Sequence, residues 1–525
     1  MPDLSPPMPQ PRVGARAVPA GAVLAAVTLA ALILRLPLLL WGADALDRQV
    51  FPDDTYYVLS IARNIAAGLG PTADGTVPTT GFQPLIVALL VPIFRLTADP
   101  VLPALAAAAI GAIAGALAAG LAARLALALT GSCLAAAGVG LVLATGPVFA
   151  LTHPNGLETA LAAAALLATA VALAETRPGA PMRRFVGIGG LAGLAVLARV
   201  DAAVLLAPAG IWAVRALGWR GAGRAALTAF AVIAPWVGVC LWLTGNPLPE
   251  SGAAVATLAA ADGFDGWMTF TMGVLALGGV WPDAVFGWAP MAGIAVAAAI
   301  LLPLLAVRRG HCAPLAAALA LGCLALFLAY TLGLGAVWFF ERYFSPIHCL
   351  VPVLAAALVF GRSPPLAVRV LWGLAVLALC GFGLWRLAPV LSDPGTERLH
   401  AFAPPSGYGE MARDLLPELP PGATLGALQS GALGYFAPPG LRVVNLDGVV
   451  NGLAAAALRE GRVCTYLKAA GITHFADWDL NRALLLRRVE PGATVVLDPL
   501  YRSAVAQGRH RVTLYSVTAD CTPRP

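Results

Sequence analysis

Charge is scarce in this chain, and one kind of cation is almost missing. Only 11% of its 525 residues are charged, and of the 33 basic residues Lys468 is the one lysine. Soluble globular proteins carry about 25% charged residues, so an ordinary soluble enzyme is excluded. Disorder is excluded too, because it needs low hydrophobicity with high charge. Here 59% of residues are hydrophobic and mean hydropathy is +0.82. The sequence also lacks any dense Lys/Arg block, which removes nucleic acid as a partner. Its eight cysteines show no CxxC or metal-ligand spacing. Six of them (Cys133, Cys240, Cys312, Cys323, Cys349 and Cys380) lie in or beside apolar runs and read as small core residues.

Long apolar runs are what is present. They recur near 19–41, 101–124, 131–151, 157–175, 185–200, 202–217, 225–244, 286–307, 313–335, 345–361 and 366–390. Each is near the length that spans a bilayer as a helix. The expected fold is therefore an α-helical polytopic membrane bundle. Residues 1–18, Pro-rich with Arg12 and Arg16, read as a cytoplasmic tail, and 19–392 as the membrane domain. Arginine groups at Arg177/Arg183/Arg184, Arg215/Arg220/Arg224 and Arg308/Arg309 mark the inner face by the positive-inside rule. That puts loops 44–82, 152–157, 199–201, 245–285 and 336–345 on the outer face, together with everything after about 394. The run 83–97 breaks this parity if it crosses, so it is expected to be re-entrant or interfacial. The stretch 266–285 is read as an outer-face helix. Arg35, late in the first span, is expected to snorkel to the outer interface.

Hydropathy falls over 393–525, where short elements alternate. A helix is expected at 406–416, helices at 452–470, and strands near 423–428, 441–446, 472–476, 494–498 and 511–518, punctuated by Pro-Pro-Gly turns. This predicts a small extracytoplasmic α/β domain. Cys464 and Cys521 are its two cysteines; on an oxidising face they either pair or remain thiols.

The first outer loop holds the densest chemistry. Asp53 and Asp54 open an amphipathic helix just after Phe51-Pro52, where the helix dipole favours their charged forms. A simple N-cap explains one of them and not both. Transfer to a hydroxyl from a lipid phosphate needs a base at the acceptor, cations at the departing phosphate, and a site at the membrane–water boundary. The acid pair offers the base. Arg63, Arg199 and Arg342, outer-face arginines at membrane boundaries, offer the cations, since the guanidinium fork matches phosphate. Glu158 and Glu250 stand as auxiliary or acceptor contacts, with Tyr57 and Tyr343 beside them. Plainer roles compete: Glu158 as a helix cap, Arg199 paired with Asp201, Arg63 as a headgroup contact, Tyr343 in an interfacial aromatic belt.

These segments resemble the GT-C superfamily of integral-membrane glycosyltransferases, in particular its bacterial ArnT/PMT-like branch. The resemblance rests on the acid pair followed by Ala62-Arg63-Asn64, on Thr80-Gly81-Phe82-Gln83-Pro84, and on Asn155-Gly156-Leu157-Glu158-Thr159-Ala160-Leu161. It extends to Ala198-Arg199-Val200-Asp201, the 244–250 loop ending in Glu250, Arg342-Tyr343-Phe344-Ser345-Pro346, and Val444-Asn445-Leu446-Asp447-Gly448. Leu157, Val200 and Glu250 depart from the family pattern. The resemblance implies a GT-C-like bundle of about eleven to thirteen transmembrane helices. It implies a polyprenyl-phosphate sugar donor, inverting transfer to an envelope glycan, lipid or protein, and residence in the bacterial inner membrane. Asp53 and Asp54 would be catalytic, and Arg63, Arg199 and Arg342 would hold the donor phosphate. Some members use a divalent cation (Mg, Mn or Ca), for which Asp53, Asp54 and Glu158 are the candidate ligands. The competing functions are a transporter or lipid-linked-sugar flippase, and an assembly protein that binds a partner through its outer domain.

Overall fold

The computed structural model describes residues 20–263, 266–277, 289–310, 313–335, 340–393, 407–507 and 510–521. The tail 1–18, Cys312 and residues 278–285 of the ambiguous stretch lie outside them.

The apolar runs form helices because nothing in them competes with intrahelical hydrogen bonding, and in lipid each backbone group must be satisfied within its own segment. Five helices are long and apolar enough to cross a bilayer alone: Gly21–Leu40, Val101–Thr130, Trp219–Thr244, Pro314–Leu334 and Leu366–Ser392. Shorter apolar helices, among them Cys133–Thr145, Thr159–Ala174, Ala202–Leu217 and Ser345–Phe360, pack between them. Alanine dominates the contacts, as in Val101–Thr130, where Ala107, Ala108, Ala112, Ala119, Ala122 and Ala123 are buried. Small side chains let helix backbones approach closely, which is how membrane helices gain packing energy.

Arg35 departs from expectation. The first helix breaks at Leu34–Arg35, before Pro37. The guanidinium does not snorkel: it is 0% exposed and donates to the Ala31 carbonyl at 2.7 Å. Neighbouring helices close over the break, which no inspection of a single span reveals.

The Pro84–Leu96 helix resolves the parity problem. Just before it, Thr80 bonds Glu250, and the carbonyl of Val449 fills the space beside Gly81. Just after it, Pro100 accepts a hydrogen bond from Tyr435 at 2.7 Å. Both ends therefore lie against the C-terminal domain, so the helix does not cross. The loops around 44–82, 153–158, 199–201, 250 and 342 gather on that same face. The opposite end carries Arg124 and Arg184 around Glu175.

In the C-terminal domain, β1 (Thr424–Ala427), β2 (Arg442–Asn445), β3 (His474–Asp477), β4 (Thr494–Gln507) and β5 (His510–Asp520) form one sheet in the order β2-β1-β3-β5-β4. The first three are parallel, with Thr424 opposite Arg442 and Leu425 opposite His474, while β5 runs antiparallel to β3 and to β4. Two short helices, Gly431–Phe436 and Asp479–Leu486, were not anticipated. Cys464 and Cys521 form a disulfide that ties the end of β5 to the Val463–Ala469 helix.

Candidate active site

The acid pair lies in the first turn of the Asp53–Ala66 helix, whose N-cap is Pro52 without a side-chain cap bond. Neither acid therefore caps its own helix. Adjacent positions on a helix point about 100° apart, and the two carboxylates accordingly meet different surfaces.

Asp53 turns to the C-terminal domain. It is 2% exposed, and its two oxygens accept the backbone N–H groups of Gly431 at 2.7 Å and Ala432 at 2.9 Å. Asp53 thus caps the Gly431–Phe436 helix from another domain. Only glycine fits at 431, since a Cβ there would sit 2.2 Å from the Asp53 carbonyl oxygen. Burial pushes the Asp53 carboxyl up to about 7, against the downward pull of the two N–H donors.

Asp54 turns to the bundle. Arg342 Nη1 donates to its Oδ2 at 2.7 Å, with Asp54 23% and Arg342 15% exposed at the side chain. The Arg342 guanidinium rests 5.1 Å from the centre of the Tyr343 ring, and Tyr343 stacks on Tyr330 at 4.7 Å. Arg199 lies over the same Tyr343 ring, also at 5.1 Å. Arg199 donates to Glu158 at 2.7 Å, to Asp201 at 2.7 Å and to the Tyr330 hydroxyl at 2.7 Å. Tyr330 in turn donates to Asp201. Asp54, Arg342, Tyr343, Arg199 and Glu158 therefore form one continuous charged and aromatic network. Within it, Arg199 and Glu158 are nearly fully buried and mutually neutralised, while Asp54 and Arg342 keep access to solvent.

The Asn155–Gly156 turn docks this network on the first-loop helix. Thr55 donates to the Asn155 carbonyl at 2.6 Å, and Asn155 Oδ1 accepts the Leu157 N–H. Gly156 has φ +76°, and a Cβ there would meet Thr55 Cγ2 at 2.4 Å; a side chain would be strained in both respects. Glu158 follows directly and turns to Arg199, without making the side-chain cap bond that was its plainer reading.

The other expected residues lie elsewhere. Tyr57 is buried in the domain junction: its hydroxyl donates to the Leu428 carbonyl at 2.8 Å and accepts from Ser430 N–H and Asn445 Nδ2. Arg63 sits in the last turn of the helix, donating to the Tyr435 and Gly434 carbonyls with its guanidinium 5.0 Å over the Tyr435 ring. Nine residues of helix, about 13 Å, separate it from Asp54. Glu250 accepts from Thr79, Thr80 and the Thr80 N–H, and closes the 79–81 loop against Gly452. The cation set Asp53, Asp54 and Glu158 does not converge on a point, because each carboxylate is directed to a different partner. Among the described residues no group of three or more His, Cys, Asp or Glu side chains is arranged to hold a metal.

Asp447 stands in the Val444-Asn445-Leu446-Asp447-Gly448 run and was not among the expected site residues. It follows β2, at the carboxyl end of the parallel strands, the edge where open α/β sheets bind ligands. Its Oδ1 accepts the Val449 N–H at 2.7 Å, and burial, with Asp54 and Asp53 nearby, pushes its carboxyl up to about 8. An Asp-Gly turn directly after an expected strand was the available signal. Tyr330 carried no signal, being one tyrosine at the end of an apolar run.

No family model matches the chain, and no curated protein matches it. Solved structures do. ArnT from Cupriavidus metallidurans bound to undecaprenyl phosphate superposes with a TM-score of 0.56 at 14% identity, covering 95% of this chain and 98% of that one. The apo state of the same protein gives 0.52 at 15% identity, covering 94% and 97%. The apo oligosaccharyltransferase of Archaeoglobus fulgidus gives 0.54 at 14%, covering 94% of this chain and 75% of that one. The chain has the fold of these proteins, the GT-C fold of a multi-pass membrane bundle with a C-terminal sheet domain.

Proposed function

We propose that this chain is an integral-membrane glycosyltransferase that moves a monosaccharide from a polyprenyl-phosphate donor to an acceptor hydroxyl. The observation that carries the reading is the Asp54–Arg342 pair, 2.7 Å apart and partly open to solvent where the bundle meets the C-terminal domain. It joins a proton acceptor to a phosphate-binding cation at a membrane boundary. The shared fold supports the donor class, since the ArnT structure carries undecaprenyl phosphate.

In this reading the donor phosphate lies on Arg342, whose fork suits two phosphate oxygens. Arg199, Tyr330 and Tyr343 brace that guanidinium from behind. Asp54 accepts the proton of the acceptor hydroxyl as its oxygen attacks the anomeric carbon. The bond from that carbon to the phosphate oxygen breaks on the opposite face, and the electron pair leaves with the phosphate. The product is inverted. Asp53 takes no proton in this step, because both its oxygens are engaged in holding the C-terminal domain. The carboxylates do not fit a shared cation, and no step passes through one. The Cys464–Cys521 disulfide supports an oxidising, extracytoplasmic setting for the C-terminal domain, as expected for a bacterial inner-membrane enzyme of this kind.

The test is Asp54→Asn in purified, folded protein supplied with radiolabelled polyprenyl-phosphate sugars. Transfer is expected to fall by about 10²- to 10⁴-fold, the usual contribution of a general base, with donor binding retained. Transfer within tenfold of the unaltered chain would sink the assignment.

A further inference from the structure

Arg63 reads as a phosphate ligand in the sequence, yet the structure separates it from Asp54 and Arg342. It lines a cavity of about 720 Å³ at the far end of the same helix, together with Phe94, Arg95, Leu96, Tyr435 and Phe436. The wall comes from three elements: the end of the first-loop helix, the end of the Pro84–Leu96 helix with the elbow to Pro100, and the Gly431–Phe436 helix.

Three features define an occupant. First, the lining has two arginines and no carboxylate; Asp99, between the lining residues Ala98 and Pro100, acts on the Tyr435 hydroxyl from outside it. The half-buried Arg63 is held by neutral carbonyls, so its charge is solvated but not neutralised. A cation withdrawn from water without a counter-charge is costly, and an anion in the cavity removes that cost. Second, the rim is apolar and turned outward at Leu96, which is 85% exposed. Third, Pro84–Leu96 is a helix of thirteen residues whose two ends lie on one face of the bundle, so it runs along the membrane boundary, as interfacial helices do. The cavity mouth is then at headgroup depth, with the half-buried Arg63 inside, Arg95 exposed at the rim and Leu96 towards the acyl chains.

We propose that this cavity binds the phosphate headgroup of an anionic bilayer phospholipid, at a site separate from the Asp54–Arg342 pair. Arg95 and Arg63 hold the phosphate, and the acyl chains lie over Leu96. Because Tyr435 belongs to the C-terminal domain and also bonds Pro100, an occupied cavity would tie that domain to the membrane surface.

The full chain in detergent is titrated separately with dioleoyl-phosphatidylglycerol, dioleoyl-phosphatidylcholine, undecaprenyl phosphate and inorganic phosphate, and bound copies are counted by native mass spectrometry. Phosphatidylglycerol is expected to bind in preference to phosphatidylcholine. Arg95→Gln, at an exposed position that leaves the Arg63 bonds intact, is expected to weaken it by about fivefold, the share of one cation near an anionic lipid. Asp54→Asn is expected to leave it unchanged. Equal binding of the two phospholipids overturns the proposal, as does insensitivity to Arg95→Gln. Binding of undecaprenyl phosphate or inorganic phosphate without phosphatidylglycerol also overturns it. None of these readouts depends on sugar transfer, so the outcome is independent of the proposed activity.

Discussion

On one side of the Asp53–Ala66 helix, carboxylates meet backbone N–H groups; on the other, they meet guanidiniums. The first region is the junction with the C-terminal domain. There Asp53 receives Gly431 and Ala432, and Asp47 receives the N–H groups of Gly409 and Glu410 together with the Tyr56 hydroxyl. Each caps a helix of the other domain. The second region is the bundle network, where Glu158 and Asp201 pair with Arg199 and Asp54 pairs with Arg342. Backbone donors cannot move or be exchanged, so a carboxylate held by them is a fixed joint. A guanidinium on an aromatic ring keeps faces open to another anion. The same side-chain chemistry thus yields a fastener in one region and a candidate reaction site in the other, according to what it faces.

The sharpest way to break this contrast is at Arg342. Arg342→Ala leaves Asp54 without its partner and removes the proposed phosphate contact, and is expected to lower kcat/KM for the lipid donor by about 10²- to 10³-fold. Arg342→Lys keeps the charge but loses the fork, and is expected to recover part of the loss. Steady-state kinetics with varied donor would measure both; a change below tenfold for the alanine variant would show that the bundle network is structural throughout.

Asp53→Asn tests the junction. An amide has one oxygen for two N–H donors, so about 1–3 kcal/mol of stability is expected to be lost, with a smaller fall in transfer than for Asp54→Asn. The effect depends on pH. The folded Asp53 titrates near 7, above the ordinary carboxylate value of about 4. Its proton-linked contribution to stability is complete below that ordinary value and is lost as pH rises through 7. The melting-temperature gap between the unaltered chain and Asp53→Asn should therefore shrink from pH 5 to pH 8. A gap that widens contradicts the assignment.

The smallest effect on transfer is expected from opening the disulfide, which ties the end of β5 to the Val463–Ala469 helix within the C-terminal domain and contributes no side chain to the Asp54–Arg342 pair. Cys464→Ser with Cys521→Ser should destabilise the C-terminal domain by about 2–4 kcal/mol, read as a lower melting temperature, with transfer at 25 °C essentially unchanged. A large loss of transfer would mean that the junction depends on this fold-internal tie.

Much of the architecture was legible in advance. The strands of the C-terminal domain fell where the apolar stretches between Pro-Gly turns put them, and β4 and β5 proved longer because they extend each other as a hairpin. The Gly431–Phe436 helix was not legible, since it is short and its capping carboxylate lies 378 residues upstream. The Tyr408–Leu415 helix was found from its own amphipathic pattern, but its cap from Asp47, 362 residues away, was not. Among the arginines, sequence treated Arg63, Arg199 and Arg342 alike. Folding gave one to a tyrosine and two carbonyls, one to a saturated acidic cluster, and one to Asp54.

What the sequence by itself determined is the apolar helical bundle with its C-terminal sheet domain, and the acid pair that opens the Asp53–Ala66 helix. These follow from hydropathy and charge, which are properties of contiguous residues. What only the tertiary structure decided is which acid fastens and which stays open, which arginine stands opposite it, and that the Pro84–Leu96 helix turns back. Those outcomes depend on hydrogen bonds and ion pairs, whose strength is set by distances of about 3 Å in space and is indifferent to the hundreds of residues between the partners.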